Sequence, residues 1–395
     1  RKVLPYVRII LALTEKYSAL VMNPPYMGSG NMNATLSDYV KRHYKEGKAD
    51  LFSVFMLLAV RRLAPNGKYG MINMQSWMFL SSFEDLRQQL LEHEQIDSLL
   101  HLGPRTFDEL SGEVVQNVAF VVSHHSPEYT GIYYRLVDGK NCADKEKGFL
   151  TKQEEYPNVD QKKFEQIPGS PIGYWVSEKI IGHFKNSPLG ETIIPRHGLA
   201  TSDNNRFLRL WPEIDIKKSS LIIKKDFTKK WFPMNKGGKF RKWYGNNEWV
   251  INYEYDGKEI KDFAVKLYSC SSRTIQNTQF YFKSGLTWSA ITSGKLSLRW
   301  SDDGAIFGSG AHCAFANRGT MKYALGFMNS NTFEYFIHVL SPTLNINVDD
   351  IRSVPYVVKN EYLITLLTED NLTISKTDWD AHETSWDFKE NELIR

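Results

Sequence analysis

The stretch Tyr17-Ser18-Ala19-Leu20-Val21-Met22-Asn23-Pro24-Pro25-Tyr26 decides the fold, because an apolar run stops there at two successive prolines. Residues 19–22 form the continuous apolar run of a parallel strand covered on both faces, and the prolines cannot continue its hydrogen-bonded ladder. Asn23 precedes a proline, which disfavours helical dihedrals and holds its carboxamide at the carboxyl end of the strand. Open α/β sheets bind ligands at this position, so we predict an α/β fold with a site at Asn23.

Residues 23–26 combine hydrogen-bond acceptors with a flat ring. The Asn23 side-chain oxygen and an adjacent backbone carbonyl can converge on one amino group, because Pro24 brings no competing amide hydrogen. Tyr26 adds a ring suited to stacking on a nucleobase. A strand-ending Asn-Pro turn with a core tyrosine is the alternative. Four specified residues directly after a strand are rare by chance, so we favour the site.

The tetrapeptide resembles the catalytic motif of amino-group methyltransferases that use S-adenosylmethionine, above all the adenine-specific DNA methyltransferases. The resemblance implies that Asn23 and the Pro24 carbonyl hold the adenine amino group while Tyr26 stacks on the flipped base. It also implies a second ring, Phe83, on the opposite face of the base. A core anchor for its own helix is an equally weighted interpretation of Phe83. The predicted catalytic set is Asn23, Pro24, Pro25, Tyr26 and Phe83.

The following hydrophobic pattern extends this α/β unit. Asp50 is placed to cap an apolar helix, and a strand follows Pro65-Asn66-Gly67, which completes a βαβ unit. We predict helices over residues 1–13, 34–45, 51–63 and 83–93, and strands over 68–73, 95–102 and 114–123. In the resemblance, residues 1–125 are the back half of a Rossmann-like methyltransferase sheet. Residues 126–187, broken by prolines, are expected to be a connector with small elements.

Composition limits the class of protein. A chain of 395 residues that is 42% hydrophobic can hold two or three domains, and a net charge of +4 does not identify a partner. The three widely spaced cysteines favour a reducing compartment such as the cytoplasm and offer no zinc spacing, so we expect no metal. The apolar run at residues 51–60 is far shorter than the roughly 20 residues that span a bilayer, so no membrane is expected.

A basic, aromatic region lies further along the chain. Residues 217–242 hold ten Lys or Arg and one acidic residue, Asp226, with tryptophans interleaved, a pattern typical of nucleic-acid contact. A solvated basic face over an ordinary core is the alternative. A polar loop at residues 198–207 and an arginine between tryptophans add donors for base edges. The predicted DNA-binding residues are Lys224, Lys225, Lys229, Lys230, Arg241, Lys242, Trp231, Trp243, Asn204, Asn205, Arg206 and Arg299.

The whole chain resembles the adenine-specific methyltransferases of bacterial BREX phage-exclusion systems (the PglX type), and after them the type IIG restriction-modification enzymes. The resemblance makes residues 188–355 an α+β target-recognition domain and 356–395 the start of a further segment. It implies adenine-N6 methylation of double-stranded DNA, with other defence-system proteins as further candidate partners. A methyltransferase acting on RNA or a protein glutamine, and a non-catalytic DNA-binding module, are the alternatives.

The cofactor site of this family is a glycine-rich loop after the first strand and an acidic residue after the second. The residues before Asn23 leave no room for either element. We therefore expect S-adenosylmethionine to bind a preceding segment, and we expect this chain alone to be inactive.

Overall fold

Two compact units, Arg1–Lys185 and Asn186–Arg395, make up the chain. The computed structural model describes residues 3–107, 115–223, 225–292, 294–343, 345–391 and 394. Both units mix helices with sheets, so the predicted α/β class is confirmed.

A six-stranded mixed sheet organises the first unit, with strand order β1-β2-β4-β3-β5-β6. Strand β1 is parallel to β2, and β3 to β5, whereas the pairs β2/β4, β3/β4 and β5/β6 are antiparallel. The elements are α1 Leu4–Thr14, β1 Tyr17–Met22, α2 Ala34–His43, α3 Leu51–Arg62, β2 Leu63–Met74, α4 Glu84–His93, β3 Gln95–Gly103, β4 Asn117–Ser123, β5 Gly131–Arg135, α5 Cys142–Leu150, β6 Glu155–Val159 and α6 Glu178–His183.

Within the described residues, the strand that carries the motif pairs with β2 alone, and these residues cover one of its two faces. Leu20 and Met22 pack against the core, whereas Val21 is 87% exposed. Successive side chains of a strand point to opposite faces, and β1 has one covered face and one strand neighbour. The parallel β1/β2 pairing with helices between the strands is the predicted βαβ unit.

Residues 126–187 belong to the first unit, which corrects the predicted connector. Strands β5 and β6 extend the six-stranded sheet beyond β3. The Arg87 guanidinium of α4 donates to the carbonyl of Gly169, and the Ile172 amide donates to Met78 O at 2.9 Å. Short elements separated by prolines therefore look like a linker in sequence while pairing with distant strands in the fold.

Two four-stranded sheets form the second unit, in the orders β13-β9-β10-β8 and β12-β11-β14-β7. Its elements are β7 Ile194–Arg196, α7 Asn204–Phe207, β8 Leu208–Leu210, β9 Trp231–Asn235, β10 Trp249–Asn252, α8 Glu254–Tyr268, β11 Gly285–Ser289, β12 Leu298–Ser301, β13 Ile306–Phe307, β14 Ala311–Phe315, α9 Arg318–Met328, α10 Asn331–Leu340, α11 Val348–Arg352 and α12 Glu361–Asp380.

The segment after residue 355 closes this unit and does not begin another, which corrects the predicted boundary. Helix α12 has 20 residues and packs on α9, where Lys322 pairs with Glu369. The Trp211 indole donates to Thr384 O at 2.9 Å, which ties the residues after α12 to the same unit. Within the described residues, no helix combines the length and apolar character needed to cross a membrane.

Candidate active site and basic surface

The tetrapeptide presents acceptors at the carboxyl end of β1. Asn23 is exposed, and within the described part of the chain neither its side-chain oxygen nor the Pro24 carbonyl receives a hydrogen bond. Pro24 is buried and fixes the backbone beside Asn23, while Pro25 and Tyr26 are exposed. The arrangement leaves two oxygens available to one incoming amino group.

Asp50 fixes the loop that follows the motif. Its Oδ1 accepts the Met27 amide at 2.9 Å and the Phe52 amide at 3.2 Å, so one carboxylate caps α3 and holds the backbone next to Tyr26. The Leu51 amide donates to Met27 O at 3.0 Å and reinforces the same junction. Hydrogen bonds therefore attach the residue that follows the motif to the amino-terminal turn of α3.

Tyr26 is held by a buried asparagine. The Asn117 Nδ2 donates to the Tyr26 hydroxyl at 3.2 Å and to Asn73 O at 3.3 Å, and Asn117 is fully buried at the start of β4. Burial raises the pKa of the Tyr26 phenol, and Asp50 raises it further while the Asn117 hydrogen bond lowers it. The phenol is thus neutral, and its ring stays 37% exposed.

Phe83 lies in the core, so the structure favours the anchor interpretation over a stacking role. It is 4% exposed, and its ring centroid lies 5.5 Å from that of Phe52. Phe52 also contacts Tyr26 edge-on at 6.1 Å. One buried ring therefore touches both residues that the resemblance places on opposite faces of a base.

A line of polar side chains runs behind the site. Asn73 Oδ1 accepts from the Trp77 indole at 3.0 Å, while Asn73 Nδ2 and Asn117 Oδ1 are buried without a partner in the described structure. Next to them, Gln75 Oε1 lies 2.8 Å from His101 Nε2. Gln75 Oε1 can only accept, so neutral His101 carries its proton on Nε2 and accepts the Tyr174 hydroxyl on Nδ1.

The sequence indicated these supporting residues only weakly. Asn73 and Asn117 are polar residues at the ends of otherwise apolar strands, and such interruptions are the signal that could have pointed to them. The sequence predicts that Asp50 caps α3, whereas its second contact, to the Met27 amide, is visible only in the fold.

His101 makes the stability of the first unit depend on pH. Burial, aided by Arg135 and Lys145, lowers the His101 pKa to about 3, below the ordinary value of about 6.5. The unfolded chain therefore binds the proton first, so this stabilisation is complete above about pH 6.5 and is lost as the pH falls toward 3. Between about pH 7 and pH 5 we expect a loss of roughly 2 kcal/mol.

Denaturant unfolding at the two pH values measures this loss. The His101→Gln variant cannot titrate at this position, so its own loss between the two pH values should be smaller by the same amount. Equal pH dependence in both proteins would contradict a neutral buried His101.

The basic stretch of the second unit is divided by the fold. Strand β9 separates residues 217–230 from residues 236–242. Five strand residues rise about 3.3 Å each, so the two groups lie roughly 15 Å apart at opposite ends of β9. They do not form the single basic surface that the sequence suggests.

Most of the predicted cations are engaged within the unit. Lys225 pairs with Asp303 at 3.4 Å and Lys229 with Asp226 at 3.7 Å. Lys230 lies over the Trp231 ring, and Arg241 forms an ion pair with Asp378 at 2.6 Å. Lys242 donates a hydrogen bond to Asn329 O at 2.7 Å. Trp243 is half-buried and forms a backbone β-bridge with Arg299. Lys224 lies outside the described residues.

Arg299 is buried, which corrects its assignment as a DNA contact. It is 1% exposed, and burial lowers its pKa to about 10, so it remains charged inside the unit. In the polar loop, Arg206 pairs with Glu259 at 2.8 Å and Asn204 accepts from Thr201 at 2.6 Å. Asn205 is exposed at the start of α7.

The described residues hold no cluster of three or more His, Cys, Asp or Glu side chains arranged to bind a metal ion.

Comparison with known proteins agrees with this geometry. Residues 5–107 match the family model of the Eco57I restriction-modification methylases. The chain is 39% identical over 399 residues to adenine-specific methyltransferase BrxX of Escherichia coli O9:H4 (strain HS). This match covers 100% of this chain and 32% of that protein. The chain is 39% identical over 403 residues to adenine-specific methyltransferase PglX of Lacticaseibacillus casei (strain Zhang), covering 98% and 33%.

A solved structure shares the fold. The type IIL restriction-modification enzyme MmeI in complex with DNA matches with a TM-score of 0.61 and 14% identity, over 94% of this chain and 50% of that one. Residues 5–107 are thus similar to the restriction-modification methylases. Over its whole length the chain is similar to BrxX and PglX, which confirms the resemblance expected from the sequence. It spans about one third of the length of these relatives.

Proposed function

We propose that this chain supplies the target-base site and the DNA-recognition unit of a site-specific DNA adenine-N6 methyltransferase in phage defence or restriction-modification. The observation that carries the proposal is the pair of free acceptors at Asn23 and Pro24 beside the exposed Tyr26 ring. Its support comes from the named activity of relatives that are 39% identical over the whole chain.

The chemistry follows from what these groups can do. A flipped adenine stacks on Tyr26, and the Asn23 oxygen and the Pro24 carbonyl accept the two amino hydrogens. Those hydrogen bonds draw the nitrogen lone pair out of conjugation with the ring and aim it along one direction. Positioning of this kind lowers the barrier without a general base among the motif residues.

S-adenosylmethionine would supply the methyl group when bound. The glycine pair after the motif does not form a free binding loop for it, because two amides of that short turn are already hydrogen-bonded. The Ser29 amide donates to Ala49 O and the Asn31 amide to Gly28 O, both at 2.9 Å. No step is therefore assigned to cofactor-holding residues of this chain.

Incubation of a full-length protein that contains this chain with radiolabelled S-adenosylmethionine and duplex DNA, RNA or protein tests the proposal, because this chain alone is expected to be inactive. Label should appear in duplex DNA as N6-methyladenine, at one sequence that methylome sequencing of the host identifies. Label confined to RNA or protein would replace the proposed substrate. Specific DNA binding without methylation would favour a non-catalytic recognition protein.

The Tyr26 ring is expected to matter more than its hydroxyl. A stacked base gains about 1–3 kcal/mol from an aromatic side chain, so Tyr26→Ala should lower methylation about 5- to 150-fold. Tyr26→Phe removes only the hydrogen bond from Asn117, and its effect should stay below about tenfold.

Initial rates of methyl transfer compare these variants, with Tyr39→Ala as the control because Tyr39 is an exposed ring on α2. If the Phe variant lost as much activity as the Ala variant, the hydroxyl and not the ring would be the working group.

A further inference from the structure

Three loops of the second unit meet at one end of its sheets. They comprise residues 236–240, residues 289–292 with 294–296, and residues 308–310. The Ser289 hydroxyl donates to Gly238 O at 3.3 Å, and the Ala290 amide donates to Gly310 O at 3.0 Å. These contacts hold the loops together as one surface, which we name the loop edge.

Two lysines emerge side by side on the loop edge. The backbones of Trp243 and Arg299 form a parallel β-bridge, and the Arg241 amide donates to Ser297 Oγ at 3.3 Å. Lys239 lies four residues before Trp243, and Lys295 lies four residues before Arg299. Because these two segments run parallel, both lysines lie at the same end of the unit. Both side chains are exposed, and among the described residues neither ammonium has an ion-pair or hydrogen-bond partner.

The loop edge contains no acidic residue. Its three segments read KGGKF, SAITSGKL and GSG, so their lysines face no carboxylate of these loops. At the other end of β9, Asp226 and Asp303 pair with Lys229 and Lys225. Lys225 and Lys229 are thus paired with carboxylates, whereas Lys239 and Lys295 have no ion-pair partner among the described residues.

Shape and apolar exposure also suit the loop edge to a broad partner. Gly238 is exposed with a φ of 137°, which favours glycine and leaves its backbone without a side chain. Phe240 is 57% exposed and Ile291 is 69% exposed beside the lysines. A cationic surface with a bare backbone and a flat ring is the combination that contacts sugar-phosphate and base edges together.

We propose that Lys239 and Lys295 of the loop edge contact backbone phosphates of duplex DNA, and that Lys225 and Lys229, which pair with carboxylates, do not. This inference rests on the proposed function, because it assumes that the partner is duplex DNA. It replaces the predicted contacts at Lys225 and Lys229 with residues whose charges are free.

Paired charge-removal variants test the assignment by fluorescence anisotropy with labelled duplex across a salt series. Lys239→Ala with Lys295→Ala should weaken binding about tenfold and lower the salt slope by about 1.8, since each phosphate contact contributes about 0.9. Lys225→Ala with Lys229→Ala removes the same charge from paired positions at the other end and is the matched control. Circular dichroism checks that both variants fold.

Each outcome has a distinct meaning. A loss confined to the Lys239/Lys295 variant supports the loop edge. Equal losses, a loss confined to the control, or no change would overturn it while leaving the DNA partner in place. Wild-type protein that does not bind duplex, or that prefers an RNA competitor, would overturn the proposed partner and this surface with it.

Discussion

Asn23→Ala should abolish nearly all methyl transfer while leaving DNA binding intact. The substitution removes one of two acceptors that face the substrate amino group, and the remaining Pro24 carbonyl cannot orient both hydrogens. Loss of one preorganised hydrogen-bonding group in an active site typically costs about 100- to 1000-fold in kcat. Asn23 is exposed and its side chain contacts no described residue through a hydrogen bond, so the fold should not change.

Single-turnover methylation and duplex-binding assays separate these effects. Asn23→Asp keeps one side-chain oxygen and should retain part of the rate, whereas Asn31→Ala alters an exposed carboxamide in the following loop and should retain nearly all of it. If Asn23→Ala kept activity within about tenfold of the wild type, Asn23 would not hold the amino group.

Arg87→Met should destabilise the first unit by about 3 kcal/mol, because it leaves buried carbonyls without donors. The Arg87 guanidinium is 1% exposed and donates to Trp77 O at 2.9 Å, Leu80 O at 2.6 Å and Gly169 O at 2.6 Å. Burial lowers its pKa to about 10, so it remains a cation at neutral pH. One side chain thus fixes the turn before α4 and the segment around Gly169.

Chemical denaturation and hydrogen exchange measure this prediction. The Ile172 amide, bonded to Met78 O at 2.9 Å, should lose protection in the variant because its segment is released. Arg42→Met changes an exposed arginine on α2 and should alter the free energy of unfolding by less than about 0.5 kcal/mol. A similarly small effect of Arg87→Met would mean that residues 160–175 do not depend on this contact.

Local sequence signals were sufficient for the elements around the motif. The proline pair ended β1 at Met22, Asp50 capped α3, and alternation placed β3 and β4 within a few residues of their bounds. Position 114, where the second of these strands was predicted to begin, lies outside the described residues. The apolar spacing of residues 323–339 predicts one helix, which is wrong, because Ser330 caps a second helix after a break at Asn329. A hydroxyl that caps a helix can also lie within one, so the pattern alone did not resolve the break.

Local charge and aromatic content predicted the candidate DNA-binding surface less reliably than any other feature of the fold or site. Arg299 alternates with tryptophans and looked available, yet its strand is buried on both faces. Arg241 and Asp378 are far apart in sequence and pair only because α12 folds back onto the unit. Whether a lysine or arginine can meet DNA depends on such long-range contacts, which the local pattern does not contain.

The sequence by itself determined the backbone restriction at the motif, since Pro24 disfavours helical dihedrals at Asn23 wherever the strand lies. It also determined the likeness to adenine-specific methyltransferases, which the comparisons confirm. Only the tertiary structure decided that Asn117 holds Tyr26 and that Phe83 lies in the core. The physical reason is that backbone restriction acts between neighbours, whereas burial and charge pairing join residues that the chain brings together from a distance.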